Sequence, residues 1–133
     1  MSEPLIRAAL EARLAAMSPA IVIAYENVNY VPVVNTPYAR INLMRAQPAN
    51  PEAGKFQQAQ GIFQVTLEYP QNVGPGVVEA RAKAIADWFP RALSLSASGI
   101  VVTIMRAAYI MAGFADGDRW AVPVRVFYQA NIS

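Results

Sequence analysis

The chain has 133 residues, enough for one domain to bury a core without disulfide or metal support, and it contains neither Cys nor His. That removes Cys nucleophiles, Ser-His triads and zinc sites of the usual kind, and it suits a reducing cytoplasm. With 11 basic and 9 acidic side chains the net charge is only +2 and no basic run exists, which argues against nucleic-acid binding as the main task.

Only 15% of residues are charged and 55% are hydrophobic, where soluble domains average about 25% charged. Either partners cover much of the surface, as in obligate interfaces, or the domain is merely small and apolar. Glu3 and Pro4 leave no apolar signal region at the start. Arg106 and Asp116 interrupt the apolar region around Ile100 to Phe114, so neither a signal peptide nor a membrane span is expected.

Ser2-Glu3-Pro4 reads as a helix start, with proline in the first turn. Ile6, Leu10, Leu14 and Met17 then share a face, Arg7 and Glu11 lie four apart elsewhere on it, and Ser18-Pro19 ends the helix. Ile21 to Glu26 reads as a short strand, and Asn27 to Thr36 as irregular chain around Pro32. From Tyr38 to Arg45 the pattern alternates, with Ala39, Ile41 and Leu43 on one face and Tyr38, Arg40, Asn42 and Met44 on the other.

Gln47 to Gln60 lacks any apolar period and reads as a long polar loop, the strongest local hint of a contact surface, with a hairpin tip as the alternative. Ile62 to Tyr69 is a strand with Phe63, Val65, Leu67 and Tyr69 toward the core and Gln64, Thr66 and Glu68 on the far face. After Gly74-Pro75-Gly76 comes a helix whose Val78, Ala82, Ile85 and Phe89 should lie on the Phe63 face, with Glu79, Lys83 and Asp87 opposite. Leu93 onward is strand-like: Leu93 and Leu95, a turn at Ser98-Gly99, Ile100 to Met105, then a continuation through Tyr109 to Phe114. Asp116-Gly117 marks a hairpin into a final strand carrying Trp120, Val122, Val124, Val126 and Tyr128. Pro123 cannot donate to a ladder, which places that strand at an edge or a bulge there. The expected class is α+β, a single domain with a mostly antiparallel or mixed sheet and both helices on one face.

Side chains that could carry chemistry are few. Asp116 and Asp118 suit a turn better than a cation site, since no third carboxylate lies close in sequence. Glu26-Asn27 has the residue types to satisfy backbone groups at a strand exit or to polarise a ligand. Gly74-Pro75-Gly76 lacks the phosphate-loop pattern and reads as a structural turn. Arg106 and Arg125, set among apolar strand residues, would face outward or into a subunit boundary, with Glu68 as a candidate partner.

The succession of elements, with Glu26, Asn27, Pro37, Tyr38, Gly61, Phe63, Gln64, Pro70, Gly74, Asp116, Gly117, Pro123 and Val124 at its best-matching positions, resembles the tail terminator-like proteins of long-tailed bacteriophages and prophages. The resemblance covers nearly the whole chain and rests mostly on residues that set the fold. It implies a non-enzymatic subunit, with no cofactor and no metal-binding residues assigned, that forms a hexameric ring on the end of the tail tube, stops tube growth and offers the surface to which the head attaches. Its partners would be further copies of itself, the tail tube protein and a head completion or connector protein, with no membrane and no specific nucleic acid. Its place would be the virion tail, assembled in the host cytoplasm. Candidate subunit or tube contacts are Arg40, Asn50, Lys55, Gln57, Gln58, Glu68, Arg106 and Arg125. The alternatives are another neck or connector subunit, or a small ligand-binding or enzymatic domain using Glu26, Asp116 or Asp118.

Overall fold

The computed structural model describes residues 3–46, 57–72, 74–97 and 99–132. Two long strands form its spine: β3 (Gln57–Pro70) and β8 (Arg119–Ile132) run antiparallel from the Gln57–Ile132 pair to the Pro70–Arg119 pair. On the free side of β3 lies β2 (Tyr38–Arg45), followed by β1 (Ile23–Ala24), which is parallel to β2 and makes the sheet mixed. Beyond β8 lie β5 (Ile100–Ile104) and then β4 (Ser94–Ala97), while β6 (Tyr109–Ile110) and β7 (Phe114–Asp116) continue along β8 as an interrupted arm.

Period-two alternation decides which face of this sheet is dry. Phe63, Val65 and Leu67 stand opposite Val126, Val124 and Val122, and with Ile41 and Leu43 they form the buried floor. Helix α1 (Glu3–Ala15) lays Ile6, Leu10 and Leu14 on it near β4 and β5. Helix α2 (Pro75–Trp88) lays Val78, Ala82 and Ile85 beside β8, β6 and β3. Both helices therefore cover one face, as the pattern required. Phe89 follows α2 and meets Phe63 with ring centroids 6.0 Å apart, and burying a side chain of this size contributes about 2–3 kcal/mol.

The helix ends are tied to each other. Arg13 donates through Nε and Nη2 to the carbonyl of Trp88, at 3.0 and 2.8 Å, and the Trp88 indole donates back to the carbonyl of Arg13 at 2.6 Å. Cationic donors at a helix C-terminus satisfy its last carbonyls and oppose the dipole.

Several sequence expectations change. The strand expected over Ile21 to Glu26 shrinks to Ile23–Ala24, because Glu26 turns its side chain onto the edge of β2 and accepts a bond from the Leu43 backbone N–H at 3.0 Å. The loop expected from Gln47 to Gln60 ends earlier: Gln57 to Gln60 belong to β3 and pair with β8. Ala59 and Gly61 continue the core-facing register of Phe63, but residues so small give no apolar period to read. Asn50 and Lys55 lie outside the described residues.

Pro123 does not mark an edge, since β8 is interior to the sheet. Its carbonyl accepts from the Met111 N–H at 2.9 Å, on the side away from β3. There the arm carries Met111, Ala112 and Gly113 where β8 has only Val122 and Pro123, so a bulge accommodates the missing donor, on the neighbouring strand.

Candidate functional site

The face of the sheet turned away from the helices collects the charged and polar side chains that the sequence singled out. Across it run the rows Arg40–Thr66–Pro123, Asn42–Gln64–Arg125 and Met44–Ile62–Phe127. Strand alternation alone puts them there, because their neighbours face the core.

Glu68 anchors one end. Its side chain is 1% exposed, and its Oε2 accepts from Arg40 Nε at 3.1 Å and Nη2 at 2.7 Å. Arg40 Nη2 also lies 3.4 Å from Asp116 Oδ2, so one guanidinium from β2 links carboxyl groups on β3 and β7. Burial raises the Glu68 pKa; the Arg40 bond opposes this and the neighbouring Asp116 carboxyl adds to it. Burial works against the Arg40 charge, but its bond to Glu68 prevails and holds the guanidinium above its usual value.

Next to this cluster Arg119, itself buried, donates to the carbonyls of Thr36 at 2.7 Å and Val33 at 2.8 Å. It thereby pins the irregular segment before β2 to the start of β8, and Tyr30 packs on Tyr38 at 4.8 Å between centroids. The Tyr38 hydroxyl is held above its usual pKa by burial and by the Glu68 charge.

Arg125 does not pair with Glu68; its Nε donates to Gln64 Oε1 at 3.0 Å, the residue directly opposite it. Arg106 is separate again, with its guanidinium 4.3 Å over the Phe127 ring. The expectation that Glu68 partners Arg106 or Arg125 is therefore corrected: β2 and β8 both flank β3, but the register sets Arg40 opposite Thr66, two residues from Glu68, and Arg125 opposite Gln64, four residues away. Arg40 and Glu68 meet directly, Arg125 lies between them and Phe127, on which Arg106 sits, and Gln57 and Gln58 lie at the far end of β3.

Sequence reasoning missed Arg119 altogether, and it weighed Asp116 as a turn, cation or ligand residue without foreseeing Arg40 as its partner. Asp116 does end β7 beside the Gly117 turn, as its residue type foretold, but its bond to Arg40 has no local signal. Nothing in the spacing marked Arg119 as a clamp on a segment so distant in sequence.

Glu26 satisfies backbone at the strand exit, one of the two roles its residue type offered. Besides Leu43 N–H it accepts from Arg7 Nη1 at 3.0 Å, and the backbone bond first, then Arg7, holds its carboxyl below the ordinary pKa. Gly74 opens α2 with φ 82, the turn geometry that glycine allows. Among the described residues no group of three or more acidic, His or Cys side chains converges as a metal site. Among them, too, no helix is long and apolar enough to cross a membrane.

Two exposed surfaces are apolar. One is the segment with Val28, Val31, Val33 and Val34; the other is the β6–β7 arm with Tyr109, Ile110 and Phe114, next to Trp120. A core this complete has no use for them, and they are candidate contact surfaces.

Comparison with known proteins agrees with an assembly role. No curated protein matches the sequence. A solved structure of a protein named only by a sequence label is similar over 100% of this chain and 98% of the other, with a TM-score of 0.81 and 28% identity. A family model for phage tail terminator proteins matches residues 5–128. The chain thus belongs to the phage tail terminator family, whose members are structural components of phage tail assembly.

Proposed function

We propose that copies of this chain close into a hexameric ring that caps the tail tube, ends its polymerisation and offers the surface to which the head attaches. The observation that carries this reading is the pair of exposed apolar surfaces on a subunit whose core is already closed. Burial of such surface drives association at little desolvation cost, and the low charge content of the chain agrees.

In this reading Arg40, Arg106 and Arg125 are contacts presented by the open sheet face. Glu68, being buried, acts by fixing Arg40. Asn50, Lys55, Gln57 and Gln58, in and beside the segment joining β2 to β3, contact the tube or the next subunit. Further copies of the chain, the tail tube protein and a head completion or connector protein are the partners. The protein works as a virion tail component assembled in the host cytoplasm, as a single domain without catalysis or cofactor.

Light scattering with negative-stain imaging of the purified protein tests the ring, and closed six-membered rings are expected, alone or on added tail tubes. Deleting residues 48–56 should leave a folded subunit that no longer caps tubes. Tubes of normal, fixed length assembled without the protein would overturn the capping role.

A further inference from the structure

We propose that neighbouring copies meet head to tail, the Val28–Val34 segment of one copy lying against the β6–β7 arm of the next. This rests on the ring reading and specifies its contact. The two surfaces differ in kind, one an irregular aliphatic segment before β2 and the other a pair of short strands bearing aromatic side chains. The segment leads into β2 and is tied to the start of β8 by Arg119, while the arm pairs with β8 along the edge away from β3. A contact between unlike patches is heterologous, and repeated around an axis it closes a ring, whereas a patch meeting its own copy stops at a dimer.

Electrostatics match as well. No charged residue occurs from Asn27 through Ala39, and none from Ala107 through Ala115. Neither segment therefore brings a charge of its own to be stripped of water, which is the costly step in association. Val31 and Val34 are 75% and 82% exposed, and Tyr109 is 59% exposed on the arm.

The segment is also held in shape before any partner arrives, because Arg119 fixes the carbonyls of Val33 and Thr36. Preorganisation of this sort lowers the ordering cost of binding. On the receiving side a groove of about 450 Å³ lies beside the bulge at Met111–Gly113, with Ile110, Met111, Trp120 and Val122 lining it on the sheet side and the charged Glu79 and Lys83 of α2 on the other. Its apolar sheet side suits branched aliphatic side chains such as those of the valine segment, while the exposed Glu79 and Lys83 form a charged rim along α2. Among the described residues, β6 and β7 pair only with β8, so their outer backbone edge is open to an added chain.

The absence of cysteine makes the test direct. Val31→Cys and Tyr109→Cys, each placed singly in the full chain, give proteins with one thiol apiece, which are treated with a short bis-maleimide alone and as a mixture. The mixture should yield a crosslinked dimer absent from either variant alone, and the double variant should yield a ladder ending at the closed ring. Closed rings in micrographs without the mixed dimer, or with self-crosslinking of Val31→Cys, would overturn this contact and leave the ring standing. A mixed dimer with open chains instead of rings would support the contact and count against the ring; a protein with no oligomer at any concentration, alone or with tubes, overturns both. As a second arm, Val31→Asp with Val34→Asp should abolish assembly with an unchanged unfolding midpoint, and assembly that survives these charges also overturns the proposal.

Discussion

Arg40 directs both its Nε and its Nη2 onto a single oxygen of Glu68, at 3.1 and 2.7 Å, across the β2–β3 pair. Glu68 has almost no access to water, whereas Arg40 keeps 43% of its side-chain exposure, so the pair is a buried carboxyl capped by a half-exposed cation. Removing the cap should cost more than removing what it covers. Arg40→Met is expected to destabilise the fold by about 2–3 kcal/mol at neutral pH, less than for a fully buried pair because water reaches the site. Urea unfolding measures this, and a loss below about 0.5 kcal/mol would show the bond to be incidental.

The Glu68 carboxyl gives that cluster a pH signature. Its pKa is raised in the fold, so its contribution is complete below the ordinary carboxylate value of 4.5 and is lost as pH rises through the raised value. Glu68→Gln mimics the protonated form and removes the dependence. Wild-type protein should therefore lose stability relative to Glu68→Gln as pH increases above 4.5. A difference that stays flat, or widens in favour of wild type, contradicts the assignment.

Glu26 has the opposite sign. Its pKa is lowered in the fold, chiefly by the Leu43 N–H, so its contribution is present above 4.5 and is lost as pH falls through the lowered value. Glu26→Ala leaves the Leu43 donor on the sheet edge to water and should cost about 1–2 kcal/mol at pH 7. The gap between wild type and variant should close on acidification, which paired denaturation curves at pH 7 and below 4 would reveal.

Legibility followed chain distance. The helices, the Phe63 strand and the final strand could be read because each carries its own period over many residues, and their shared face follows from that. Ala59 and Gly61 hid the start of β3 because they lack apolar bulk. The Arg40–Glu68 pair was half legible: each residue was placed on the polar face of its own strand, but the choice among Arg40, Arg106 and Arg125 depends on the register of β2 and β8 against β3, which no local pattern specifies. Arg119 was illegible for the same reason, since its partners Val33 and Thr36 are brought to it only by the finished sheet.

Gly61 is fixed by close approach. A β-carbon there would collide with the Met44 carbonyl oxygen and stand 2.7 Å from the Tyr128 hydroxyl, so β2 and β8 would both have to yield. Gly61→Ala is expected to cost about 1–3 kcal/mol, as overpacking in a well-filled interior does. Gly76 is the control, because a β-carbon there meets nothing within 4 Å, and Gly76→Ala should leave the unfolding midpoint near that of wild type. Equal midpoints for the two variants would mean that the β2–β3–β8 packing at Gly61 is looser than these distances imply.

The Arg13–Trp88 clamp separates stability from assembly. Its atoms lie at the helix ends, away from both apolar surfaces, and the Arg13 guanidinium also stacks 3.7 Å from the Trp88 ring centroid. Arg13→Ala removes two donors from the Trp88 carbonyl and the stacked cation together, for an expected loss of about 1–3 kcal/mol. Trp88→Phe keeps a ring under the guanidinium but deletes the indole donor to Arg13, and should cost about 1 kcal/mol. Neither change touches the residues assigned to subunit contact, so at temperatures where the variants remain folded their assembly measured by light scattering should match wild type. Loss of assembly in folded Arg13→Ala would place this helix surface, and not the valine segment or the arm, at the boundary between subunits.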